Sequence, residues 1–190
     1  MPSSMPHLIV AKKINPNASI DFYIGNIAVD AISDRDKKEI AHFREAIDRE
    51  IVLKEFALKA DNNYLKGLLL HLYVDWKWET VYLTGIVPKY HEELGLMSAH
   101  AFHTTEWAYE LLEQMEQWDG CGFVKTEFIT KENIYNYIQR IKKWHIENKV
   151  GPSMVFPPEL LEKFADEMAE EFNKWFSNLK VEFESINIRV

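Results

Sequence analysis

A single cysteine, Cys121, stands in a chain of 190 residues. No disulfide can form within the chain, and nothing points to an oxidising compartment. Positive charge is also scarce: 22 Lys and Arg stand against 30 Asp and Glu, a net charge of −8. That balance excludes a broad electrostatic grip on nucleic acid. It does not exclude a small anionic ligand, because a bound metal ion can supply positive charge locally. No apolar run approaches the ~20 residues that span a bilayer. No basic stretch leads into an apolar one at the N-terminus, so there is no recognisable signal peptide and the expectation is a cytoplasmic protein. Repeats, low-complexity stretches and linkers are all missing, and one domain over residues 1–190 is expected.

What the sequence does have is helical periodicity and aromatic side chains, which make up 13% of the chain and promise a well-filled core. Pro6 suits the first turn of a helix carrying His7, Val10, Ala11 and Ile14 on one face. Asn15-Pro16-Asn17 breaks it, and Ser19 is placed to cap a second segment with Ile20, Ile24 and Ile27 inward. The pattern predicts one long helix over about residues 36–60, with Ile40, Phe43, Ile47 and Ile51 inward. Further helices are expected over about 63–83, 97–117, Thr130 to Asn148, and Pro158 to about 179. The segment 181–190 alternates apolar and polar residues and reads as extended. The fold class predicted is all-α, a compact multi-helix bundle.

The stretch GLLLHLYVDWKW, residues 67–78, is strongly apolar yet carries His71 and Asp75. Tyr64, Leu68, His71, Asp75, Trp78 and Tyr82 follow steps of three and four and share one helix face. A carboxylate among apolar neighbours needs a cation, a donor network or a metal. His at i and Asp at i+4 can both reach one ion from consecutive turns. For this pair alone, a His–Asp hydrogen bond inside the core or at its edge is the more ordinary reading. The pair has company, however. His7 lies on the inward face of the first helix, Asp30 follows Ile27 by three residues, and His42 borders the apolar face of the third helix. Two histidines and two carboxylates suit zinc, and Fe or Mn accept such mixed N/O sets as well.

Gly25-Asn26-Ile27-Ala28-Val29-Asp30, then Ala41-His42-Phe43, then Gly67 through the His71-x-x-x-Asp75 pair resemble, in that order, the zinc-dependent phospholipase C family, itself related to the fungal zinc nucleases of single-stranded nucleic acid. The resemblance covers residues 7 to about 80. It implies an all-helical fold of that type with a metal cluster at the bottom of a cleft. It also implies that Asp30, His42, His71 and Asp75 hold one zinc, with Asp75 bridging to a second metal served by His7. One to three ions are expected on this basis. Two features depart from the family. Its mature N-terminal Trp, a metal ligand, is replaced by a chain that begins Met1-Pro2-Ser3-Ser4. Its later His-x-x-x-Glu is missing: Gly95, Thr104, Trp107 and Lys149 stand four residues after His91, His100, His103 and His145. His100, His103 and Glu106, at steps of three, are candidates for a diverged additional metal site, and His91 in a loop could contribute. His145, near a helix end, reads as a charge favourable to the helix dipole.

The activity implied is hydrolysis of a phosphoester by metal-activated water, with Asp30 orienting the water and a small phosphoester as substrate. Trp76, Trp78, Tyr82 and Trp107 either line the cleft or, more ordinarily for such a stripe, fill the core. A helical binding or scaffold protein with a retained structural metal is the alternative, and a metal-free helical protein the plainer one. Two other metal folds drop out. There is no His-Asp dipeptide for an HD-class phosphohydrolase, and Glu39-x-x-His42 is the only Glu-x-x-His, where a ferritin-like centre needs two.

Overall fold

The computed structural model describes residues 3–83, 85 and 87–187, the stretch from 180 to 187 as backbone only. Helix α1 runs Ser4–Ile14, α2 Ile20–Ala28, α3 Arg35–Ala41, α4 Arg49–Ala57, α5 Asn63–Lys77, α6 Tyr90–Thr104, α7 Ala108–Glu116, α8 Lys131–Glu147 and α9 Pro158–Asn187. No strand occurs among the described residues. None of their helices is long and apolar enough to cross a membrane. The all-α expectation holds.

Helix α5 is the hub. Asn62 caps it by accepting from Leu65 N at 2.9 Å. Its side chains from Leu68 to Asp75 are all buried, so it is covered on every side. The tightest cover is α2, and glycine is the reason. A Cβ on Gly25 would stand 1.9 Å from Tyr64 O, and one on Gly67 would stand 1.9 Å from Phe22 O. The two backbones therefore meet where neither helix carries a side chain, and the peptide groups beyond Gly25 come within reach of α5. After Lys77 the chain widens into a π-helical turn, Trp78–Tyr82, closed by Leu83 N on Trp78 O at 2.8 Å. Trp78 is buried against Phe156 and Phe164. Helix α9 seals the other side of α1, with Phe164, Ala165 and Met168 fully buried.

Three sequence expectations need correction. The long helix over 36–60 is two helices, α3 and α4, separated by residues 42–48. Phe43 takes a left-handed φ of 56°, which no helix interior tolerates. Of its predicted inward residues, Ile40 is 45%, Ile47 108% and Ile51 54% exposed; only Phe43 packs inward. The signal for the break was present at Asp48, whose side chain accepts from Ile51 N at 3.1 Å and starts α4 afresh. The helix over 97–117 is likewise two, α6 beginning at Tyr90 and α7 at Ala108. His91 therefore lies on an exposed helical turn, not in a loop. The segment read as extended continues α9 through Asn187, and 188–190 lie outside the described residues.

Candidate metal centre

Five polar side chains from four parts of the chain meet beside α5. His7 comes from α1, Asp30 from the 3-10 turn that follows α2, His42 from the residue that ends α3, and His71 and Asp75 from α5. Asp30 is 6% exposed and the other four are 0% exposed. The break at 42–48 has a clear role here. Ending α3 at Ala41 lets His42 turn inward while Ile40 faces solvent.

Each of two imidazoles is pinned by a backbone carbonyl. His71 Nδ1 donates to Asn26 O at 2.7 Å, and His42 Nδ1 to Lys38 O at 2.6 Å. A carbonyl can only accept, so both Nδ1 atoms carry hydrogen and both Nε2 atoms are left for the centre. Those Nε2 atoms converge with two carboxylate oxygens. The separations are 3.3 Å for His71 Nε2 to His42 Nε2, 3.4 Å for His42 Nε2 to Asp75 Oδ2, 3.5 Å for His71 Nε2 to Asp75 Oδ2, and 3.7 Å for His42 Nε2 to Asp30 Oδ1. Four ligands at zinc's usual bond lengths of about 2.0–2.1 Å, placed tetrahedrally, stand about 3.3–3.4 Å from one another. His42 Nε2, His71 Nε2 and Asp75 Oδ2 thus have the type and spacing of three ligands of one tetrahedral ion, with Asp30 Oδ1 standing farther out beside His42.

Asp75 turns its other oxygen, Oδ1, to His7 Nε2 at 3.1 Å. Neither carboxylate oxygen of Asp75, and neither ring nitrogen of His7, has a hydrogen-bond partner of proper geometry. The His7 ring stacks on His71, with centroids 3.9 Å apart and planes 13° from parallel. His7, His71 and Asp75 form one group of donors within 4.8 Å, and Asp30, His42 and His71 form another.

The electrostatics follow from burial and from these neighbours. Burial favours neutral His7 and, with the nearby His71, lowers its pKa to about 4. Burial pushes His71 the same way, but the Asp75 and Asp30 carboxylates outweigh it and raise that pKa. Burial on its own would raise both aspartates. The His71 charge first, then His42 and Lys38 for Asp30 and His7 for Asp75, hold both carboxyls well below the usual range. Both carboxylates are therefore held in the ionised form, Asp75 fully buried and Asp30 at the edge of the centre.

One wall of the centre meets solvent. A pocket of ≈ 380 Å³ is lined by Asp30, Lys38, Tyr137, Arg140 and Trp144 among others, and Asp30 is the one member of the five on its surface. Lys38 Nζ lies 2.8 Å from Asp30 Oδ1 at this opening.

Other candidates lie elsewhere. His100, His103 and Glu106 join neither donor group among the described residues. His103 is exposed with Nε2 2.8 Å from His145 O, Glu106 is exposed, and His100 lines a separate pocket of ≈ 320 Å³ with Trp107. Trp78 belongs to the core, Trp76 and Tyr82 pack against it, and none of these aromatics lines the pocket at Asp30. His145 is not a surface charge. It is 2% exposed, and burial lowers its pKa. The residues that sequence reasoning missed are Lys38, Asn26 and Arg44. Lys38 and Asn26 orient the imidazoles through backbone carbonyls, for which sequence gives no signal. Arg44 approaches Asp75 Oδ2 to 3.8 Å through Nη2, which also pairs with Glu79, while its Nη1 pairs with Glu39.

Comparison with known proteins gives no match to a family model, to a curated protein or to a solved structure. The resemblance to the zinc-dependent phospholipase C family therefore rests on the ordered motifs alone.

Proposed function

We propose that the chain is a metal-dependent hydrolase of phosphoesters, of the phospholipase C type, whose metal is held by Asp30, His42, His71 and Asp75. The observation that carries the metal is Asp75, a fully buried carboxylate in a ring of imidazoles, neither of whose oxygens makes a hydrogen bond of proper geometry. A native fold rarely leaves such a group uncompensated, and a divalent cation compensates it directly. The two-nitrogen, two-oxygen set fits zinc best, with Fe or Mn as alternatives. His71 Nε2 can serve one ion only, so a second ion has His7 and Asp75 Oδ1 as its protein donors.

A metal in this place supplies a Lewis acid for a phosphoryl oxygen and lowers the pKa of water bound to it. The chain's own groups account for the choice of a phosphoester. Lys38 and Arg140, both on the pocket wall, offer cations to an anionic phosphoryl group. Asp30, at the boundary of pocket and centre, is placed to orient a water. The pocket's size suits a small substrate rather than a polymer, as does the net charge. The test is elemental analysis of the purified chain followed by hydrolysis of bis(p-nitrophenyl) phosphate with and without chelator. One or more ions per chain and chelator-sensitive hydrolysis support the reading; a bound ion without hydrolysis rejects the enzyme.

A second reading has its own observation. Four protein donors close a tetrahedral site, and closed sites are structural, whereas catalytic zinc keeps an open position. On that reading the ion locks α1, α3 and α5 together in a binding or scaffold protein. The longest of the four separations, 3.7 Å, belongs to Asp30, the residue that also borders the pocket. Asp30→Ala discriminates the two. It removes a ligand and weakens the ion on either reading, so the discriminating result is its turnover at saturating zinc: an enzyme whose wild type hydrolyses the phosphoester loses hydrolysis, whereas a structural site shows no hydrolysis in either protein and only a lower melting temperature.

A further inference from the structure

The pocket that reaches Asp30 has a second reactive pair on its wall. Ser98, from α6, and His145, from α8, both line it, and they are 1% and 2% exposed. His145 Nδ1 lies 2.6 Å from Ile141 O, one turn back on its own helix. The carbonyl can only accept, so Nδ1 carries the hydrogen. His145 Nε2 lies 3.0 Å from Ser98 Oγ. Burial lowers the pKa of the imidazole, and so does the neighbouring His103, which favours the neutral ring. Nε2 therefore presents a lone pair, and the Ser98 hydroxyl donates to it. Met5 N–H, 3.4 Å away, donates to Oγ and fixes the hydroxyl from the other side. A nucleophile, a base in the right tautomer and a group orienting the base are thus in hydrogen-bond contact, with a main-chain carbonyl in the third role. No donor of the metal centre takes part, and nothing in the sequence links two residues 47 positions apart.

We propose that Ser98 is the nucleophile, and His145 the general base, of a second ester-cleaving centre that takes small carboxylic esters. The apolar wall of the pocket, Leu94, Ile141 and Trp144, accommodates the acyl chain. Ser98 Oγ bonds to the acyl carbon as its proton passes to His145 Nε2. The ester C–O bond breaks, and the leaving alcohol takes that proton. Water then attacks the acyl-serine, gives its proton to His145, and the carboxylic acid leaves as Ser98 regains its hydrogen. The pair works without the metal, so it stands or falls separately from the phosphoesterase reading.

The test uses the full chain with a fluorophosphonate probe, which forms a Ser Oγ–P bond and expels fluoride only where a serine is activated. Peptide mass mapping is expected to find one adduct, on Ser98, equally in zinc-loaded and chelated protein. Ser98→Ala, melting like the wild type, abolishes it. His145→Gln slows labelling about 100-fold or more. p-Nitrophenyl acetate is expected to release a burst of one nitrophenolate per chain. Folded wild-type protein that stays unlabelled, an adduct on another residue, or His145→Gln labelled at the wild-type rate overturns the proposal. The first two outcomes need no variant to fold.

Discussion

Asp75→Asn is the sharpest perturbation of the metal centre, because one carboxylate touches every other member near it. Asp75 lies within 3.1–3.5 Å of His7, His42 and His71, and it supplies one of the four converging donor atoms. Asparagine keeps the shape and removes the charge. Its effect on the metal-free protein mixes lost attraction to His71 with a relieved cost of burying charge, so the quantity to read is the zinc-induced shift in melting temperature within each variant. Ligand binding to the native state adds about 4.1 kcal/mol of stability when free zinc is a thousand times its Kd. One kcal/mol moves the midpoint of a domain of this size by about 2–4 °C, so the wild type should gain about 8–16 °C. Loss of a single outer-sphere partner costs about 10–100-fold in affinity, and loss of a direct ligand at least the upper figure. A 100-fold loss leaves free zinc at ten times Kd, worth about 1.4 kcal/mol and about 3–6 °C. Differential scanning fluorimetry of chelated and zinc-supplemented samples reads both shifts. Equal zinc-induced gains in wild type and Asp75→Asn would sink the assignment of Asp75 as a ligand, whatever the elemental analysis finds.

Gly67→Ala should destabilise by about 3 kcal/mol or more, since its Cβ meets the Phe22 carbonyl rather than a movable side chain; it should also lower zinc content by displacing Asn26 O from His71, read by denaturation and metal analysis on the same preparation. Leu53→Ala, at a fully buried site, should cost about 2–5 kcal/mol. Ile47→Asp, at a fully exposed one, should stay within about 0.5 kcal/mol in urea denaturation, and a large cost there would restore the continuous 36–60 helix. His145 gives a pH dependence. Its pKa is lowered from 6.5 by burial, so the unfolded chain takes up a proton first as pH falls through 6.5, and stability contributed by the neutral form is lost on acidification. Replacing it by Gln should flatten the stability profile between pH 7.5 and 5.5, and an unchanged slope would reject the buried neutral imidazole.

The helices that sequence reveals best are those whose ends carry a cap and whose faces keep one period. Asn62 and Thr130 cap α5 and α8 through their side chains, and both starts are legible. The failures share a cause. Between residues 36 and 60 no glycine or proline interrupts the periodicity, so a continuous helix reads well. The centre overrides it, because His42 must turn inward at the point where Ile40 and Ile47 must not. The five central side chains were legible because a histidine or aspartate on an apolar face is chemically out of place. His145 and Ser98 were not legible. A histidine after two lysines reads as a solvated helix end, and only the packing of α8 on α6 buries it.

The charges around the centre supply a further argument for a cation. Four carboxylates, Asp30, Asp75, Glu39 and Glu79, stand against three permanent cations, Lys38, Arg44 and Arg49, in one linked network. Arg44 is the nearest permanent cation to Asp75. It lies 3.8 Å from it, yet 2.6 Å from Glu39 and 2.9 Å from Glu79, so most of its interaction is spent on the more exposed pair. The fully buried carboxylate is the one left under-compensated. Without a metal, the Asp75 and Asp30 carboxylates outweigh burial and raise the pKa of His71, which favours a proton on the imidazole as the compensating charge. Since Nδ1 is committed to Asn26 O, that proton sits on Nε2, the same atom that faces Asp30, His42 and Asp75. On the metal reading proposed above, proton and metal would compete for this one position, Nε2 of His71.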